Sequence, residues 1–135
     1  MALQYSVTVR NAQLDAVETA IGTSPILRIR TGAVPATCAT ADSGTVLAEM
    51  TLPSDWMAAA SSGTKALSGT WQDASANAAG TAAHWRIYDS TGTTCHAQGT
   101  ITATGGGGDL TLDNTSIASG QSVTITGFTI TAGNG

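Results

Sequence analysis

Charge is the first thing this chain lacks. Asp, Glu, Lys and Arg make up 10% of its 135 residues, against roughly 25% in an average soluble protein. Only five residues are basic and the formal net charge is -4, which excludes the clustered Lys and Arg of a nucleic-acid surface. No run approaches the ~20 apolar residues of a membrane-spanning helix, so no membrane partner is expected. Residues 1–21 carry polar side chains throughout in place of a signal-peptide apolar block, which predicts a protein made in the cytosol. Aromatics are scarce as well: with one Phe and two Tyr, the chain must fill its interior largely around Trp56, Trp71 and Trp85. The two cysteines, Cys38 and Cys95, show no CxxC or Cys/His spacing. Reduced thiols are the default for such a pair, and a disulfide stays open should their strands or loops meet. What is abundant is Gly, Ala, Ser and Thr. A hydroxyl-rich, weakly charged surface suits either a Thr-covered β protein or one whose surface meets other protein.

The length fits one domain. Leu3, Val7, Leu14, Val17 and Ile21 recur at steps of three, four and seven among good helix formers, and Gly22 to Pro25 ends the pattern. The spacing predicts an amphipathic helix over 1–22, part of the same domain as a β-rich body over 23–135; "YSVTVR" also alternates like a strand. Arg10 interrupts the apolar stripe, so the helix is expected to lie across the sheet or against a neighbouring subunit. Beyond Pro25 the period becomes two. "ILRIR" (26–30) places Arg28 and Arg30 on one face of a strand, read as a charged edge or as a grip on a phosphate or a partner's carboxylates. "TVLAEMTL" (45–52) is a second strand, "SDWMAAA" (54–60) at most a short helix, and the small-residue stretch to Thr81 irregular strands anchored by Trp71. Residues 82–101 carry a hairpin turning at "DSTG" (89–92), "DLTLD" (109–113) is a further strand, and "QSVTITGFTIT" (121–131) is a last strand with a bulge or a one-residue change of face at Gly127. The fold class is therefore mainly β, a sandwich or barrel-like single domain with one N-terminal α-helix.

Gly105 to Gly108 lie between two strands and are followed by Asp109, with no lysine nearby. A phosphate loop leads instead into a helix N-terminus, so a wide hairpin connection or a backbone packed against a partner is expected. His84 and His96 sit on neighbouring strands, but Cys95 and His96 face opposite ways and zinc needs three or four converging ligands. Asp109 and Asp113, four apart on one strand face, read as strand-end punctuation or weak calcium binders rather than as paired catalytic carboxylates, and the tryptophans as core anchors or, alternatively, a sugar-stacking platform. No catalytic residue, cofactor or metal site is expected. The candidate assembly interface is Leu3, Val7, Arg10, Leu14, Arg28 and Arg30.

Four stretches, "MALQYSVTVRNAQLDAVETAIGTSPILRIRTG", "LPSDWMAAASSGTKALSGTWQD", "RIYDSTGTTCHAQGT" and "DNTSIASGQSVTITGFTITAGNG", together resemble a family of small proteins encoded in the structural gene clusters of tailed bacteriophages. The resemblance spans essentially the whole chain, and the last stretch is also similar to immunoglobulin-like sandwich strands. It implies a non-enzymatic virion protein made in the bacterial host cytoplasm, a homo-oligomer whose partners are the major capsid protein or other virion proteins. Low charge, small size, a β-rich body and an offset N-terminal helix suit surface-to-surface packing, so capsid decoration or cement is the role expected, with head-tail or tail decoration as the alternative. A carbohydrate-binding sandwich used in adhesion is the competing reading, and it requires an exposed indole face.

Overall fold

The computed structural model describes residues 3–132; Met1 and Ala2 of the expected helix, and residues 133–135 of the expected body, lie outside the described residues. The architecture is mainly β with one N-terminal helix and a curled sheet, in keeping with a single sandwich or barrel-like domain. Helix α1 runs Val7–Ile21, shorter than the expected 1–22, because Ser6 caps it by accepting from the Val9 amide at 3.3 Å. Gly22, at φ 92°, ends it, its N–H reaching the Glu18 carbonyl.

Strand β1 (Ile26–Arg30) lies between β2 (Val46–Thr51) and β6 (His84–Tyr88), so the expected charged edge is corrected to an interior strand. The five-stranded sheet continues through β7 (Cys95–Ala103) to β8 (Leu110–Leu112). Leu27, Ile29, Trp85 and Ile87 point to the inner face. Against that face stand three short antiparallel ladders: β4 (Trp71–Asp73) with β10 (Val123–Ile125), β3 (Thr64–Ala66) with β11 (Thr129–Thr131), and β5 (Gly80–Thr81) with β9 (Ser116–Ile117). One core joins residues from Ile21 to Phe128. Its centre is a run of rings, with centroids 5.9 Å apart for Trp56 and Trp71, 5.4 Å for Trp71 and Phe128, and 5.3 Å for Trp85 and Phe128.

Three local expectations change. "SDWMAAA" is not helical. Trp56 and Met57, adjacent in sequence, are both buried, and Met57 bridges Leu67 while the Ala58 amide reaches the Ala66 carbonyl at 2.8 Å. A helix there would turn one of these side chains away from the core, so tertiary burial overrides the N-cap signal. The last strand is not one bulged strand but two: around Gly127 the chain passes from pairing with β4 to pairing with β3, and Phe128 enters the core.

The glycine run is not a hairpin either. β8 lies parallel to the end of β7, with Ile101 beside Leu110 and Ala103 beside Leu112. Parallel neighbours ordinarily need a crossover of a dozen or more residues. Here residues 104–109 double back over β7 itself. A Cβ at Gly106 or Gly108 would come within 2.7 or 2.8 Å of Thr102 atoms, and Gly105 and Gly107 hold positive φ, so the alternating glycines meet two different demands.

Candidate functional site

Helix α1 docks by its polar residues. The segment 57–63 turns several amides away from the strand ladders, and side chains on one face of the helix accept them. Asn11 Oδ1 accepts from Gly63 N at 2.9 Å, Asp15 Oδ1 from Ala60 N at 3.1 Å and Glu18 Oε2 from Met57 N at 3.2 Å. Beneath them lies Lys65 of β3, a buried ammonium 2.7 Å from Asp15 Oδ1 and 2.9 Å from Glu18 Oε1. Burial opposes this charge, but the hydrogen bonds and charges of Asp15 and Glu18 outweigh it and hold Lys65 above its ordinary 10.5. The same contact, first by the Lys65 hydrogen bond and then by the Ala60 amide, lowers the Asp15 carboxyl.

Docking by this face leaves apolar side chains outside. Of the expected stripe, Leu14 and Ile21 are buried, whereas Val7 and Val17 are exposed and Leu3 precedes the helix at 67% exposure. Tyr5 and Val9 add to the exposed set. Arg10 is held within the chain: Nη1 donates to the Ala132 carbonyl at 3.4 Å and lies over Gly63, where a Cβ would come within 2.6 Å of it. It is a packing contact of α1, not a charge waiting at the stripe's edge.

Arg28 and Arg30 are likewise engaged. β1 and its neighbours carry a polar row on the outer face, where register sets Glu49 opposite Arg28, Arg28 opposite Arg86, and Arg86 opposite Gln98. Arg28 Nε meets Glu49 Oε2 at 2.6 Å, and its guanidinium stands 4.6 Å from the Tyr88 ring centroid. The connection 31–45 folds back over this face. Asp42, carried on it, receives Arg30 Nη2 at 3.0 Å, Arg86 Nη1 at 2.6 Å and the Tyr88 hydroxyl at 2.5 Å. Arg86, almost wholly buried, also donates to the carbonyls of Thr37 and Thr40 and to Gln98 Oε1. Burial works against the Asp42 charge, but the hydrogen bonds from Tyr88 and Arg86 prevail and lower its carboxyl. This layer explains why every residue of β6 is buried: one face meets the apolar core and the other a covering loop.

The remaining candidates do not converge. His84 is fully buried, its Nδ1 donating to the Gly32 carbonyl at 2.8 Å, and burial lowers its pKa. It pairs with Thr100, whereas His96 is exposed in the bulge at the other end of the β6–β7 ladder. Among the described residues no group of three His, Cys, Asp or Glu could hold a metal ion. Asp109 and Asp113 flank β8, and Asp109 Oδ2 accepts from the Thr100 amide at 2.9 Å. Trp56, Trp71 and Trp85 are 1%, 0% and 5% exposed, so none offers a stacking face.

Sequence reading missed Lys65 and Asp42. Asp15 and Glu18, three apart on one helix face, were the available sign that a cation lies under α1; Asp42 sits in a loop with no local pattern. No protein-family model, curated protein or solved structure matches the chain.

Proposed function

We propose that the chain is a non-enzymatic structural protein of a tailed-bacteriophage virion, most simply a decoration or cement protein bound to the major capsid protein. The carrying observation is the set of apolar side chains, Leu3, Tyr5, Val7, Val9 and Val17, left exposed on the N-terminal segment of a protein with so few charges. A helix that turns carboxylates inward and valines outward lowers its own solubility, and that arrangement is stabilising once another protein covers it. Copies of this chain, the capsid, or head-tail and tail proteins are the partners to which this surface fits. The burial of all three indoles speaks against the adhesion reading, which needs one of them at the surface.

The test is binding of the purified chain to particles that lack it, comparing the native sequence with Val9→Asp. Val9 is exposed in the isolated protein, so the variant is expected to melt with the native chain while losing occupancy at least tenfold. Full occupancy by a normally folded Val9→Asp protein removes the helix from the interface. Absence of binding by the native chain overturns the virion reading itself.

A further inference from the structure

The connection 31–45 brings together two side chains that no part of the assembly reading uses. Arg86 Nη2 donates to the carbonyls of Thr37 and Thr40, both at 2.9 Å, and the Thr40 amide closes onto the Thr37 carbonyl at 3.0 Å. Cys38 rides on the turn so fixed. Directly below, Cys95 opens β7 opposite Tyr88, whose hydroxyl holds Asp42 of the same connection. The turn and the strand thereby bring the Cys38 and Cys95 thiols to one cleft. They line a cleft of about 270 Å³ together with Asp42, Arg86 and Thr93. Each thiol is half-buried, so a small reagent entering the cleft reaches both.

We propose that Cys38 and Cys95 form a redox-closable pair that staples the connection 31–45 to the sheet by exchange with a small-molecule disulfide, Cys38 reacting first and Cys95 resolving. In the first step the Cys38 sulfur, having given up its proton, attacks one sulfur of the small disulfide. That S–S bond breaks, and the departing small thiolate takes a proton. In the second step Cys95 loses its proton and attacks the Cys38 sulfur of the mixed disulfide, expelling the second small thiol. Two protein thiols are thereby oxidised by two electrons to one disulfide, and one small disulfide is reduced to two thiols.

The order follows from position. Cys38 lies on a surface turn between exposed neighbours, whereas Cys95 is set in a strand under that turn. Burial, and then the neighbouring Cys38 thiol, push the Cys95 thiol up to about 12, which makes it the poorer first nucleophile. Once Cys38 is a mixed disulfide its charge no longer opposes ionisation of Cys95. The closed bond ties β7 to a segment that precedes β2, and it restricts the unfolded chain over 38–95.

The experiment treats the full chain with oxidised glutathione and follows it by intact mass and non-reducing peptide mapping. The native chain is expected to lose two hydrogens and to give a single linked peptide joining Cys38 to Cys95. Its melting temperature is expected to rise by on the order of 10 °C and to return on reduction. Cys95→Ser is expected to trap glutathione on Cys38, and Cys38→Ser to take up at least tenfold less. Stable adducts on both cysteines of the native chain, or disulfide dimers in place of the internal bond, overturn the pairing. Preferential labelling of Cys95 overturns the order. The map of the native chain decides the pairing even if a serine variant does not fold.

Discussion

Replacing Asp42 by Asn tests the polar layer that covers the outer face. The substitution keeps size and one acceptor but removes the carboxylate placed between Arg30 and Arg86. Removing one partner of a fully buried pair costs about 3–5 kcal/mol, because the surviving charge is left uncompensated. Two features reduce that here. The Asp42 side chain is 39% exposed, so water already screens part of the attraction, and Arg86 keeps three other acceptors in Thr37, Thr40 and Gln98. A loss of about 2 kcal/mol remains, equivalent to a fall of roughly 6–8 °C in Tm for a chain of this length. Urea denaturation at neutral pH measures it directly, with Asp55→Asn, an exposed carboxylate, as a control expected to leave the midpoint in place. The pH dependence supplies the sign. Asp42 has its folded-state pKa lowered below 3.8, so its contribution is present above that value and is lost as pH falls through the folded pKa. The amide of the Asp42→Asn variant does not titrate, so the variant lacks this acid limb. An Asp42→Asn protein as stable as the native chain at pH 7, with the same acid profile, refutes the account of this layer.

Lys65 titrates in the opposite sense. Its folded pKa is raised above 10.5, so the stabilisation is present below that value and disappears as pH climbs through the folded pKa; Lys65→Met is expected to abolish that alkaline loss in a pH series of denaturation curves. In the β6–β7 loop the Asp89 carboxyl, held by the Thr93 amide and the Thr91 hydroxyl, is lowered to about 2. NMR titration of native chain and Thr91→Val is expected to show Asp89 ionised down to about that pH in the first and at a higher pKa in the second. Gly108→Ala forces a Cβ to within 2.8 Å of the Thr102 amide nitrogen. It is expected to cost about 2 kcal/mol or more and to speed amide exchange in β8, whereas a protein of native stability would show that residues 104–109 do not double back over β7.

Where the residues carry a repeating signal, the element was readable. The alternation of Trp85 and Ile87 with Arg86 and Tyr88, followed by "DSTG", located the β6–β7 hairpin, and Gly22 with Pro25 located the end of α1. What the chain does at a distance was not readable. The apolar stripe of α1, interrupted by Arg10, left open whether the helix packs on the sheet or on a neighbour, because periodicity reports only the helix's own faces; the amides of 57–63 and the ammonium of Lys65 hold the face that turns inward. "ILRIR" looked like an edge strand because arginines ordinarily call for water, and the covering loop that supplies Asp42 lies a dozen residues on. Gly127 marked a change of face correctly, but not that the chain changes partner strand there. The candidate interface is likewise divided: Leu3 and Val7 are exposed, Leu14 is buried, and Arg10, Arg28 and Arg30 are held by contacts within the chain.

The central claim is that this protein is built to sit on a virion, and the direct measurement is quantitative mass spectrometry of purified phage particles whose genome encodes it. The account predicts the chain in washed particles at a fixed ratio to the major capsid protein, near that protein's own copy number if it decorates the head. Its absence from particles, while it is abundant in the infected-cell lysate, would contradict the account.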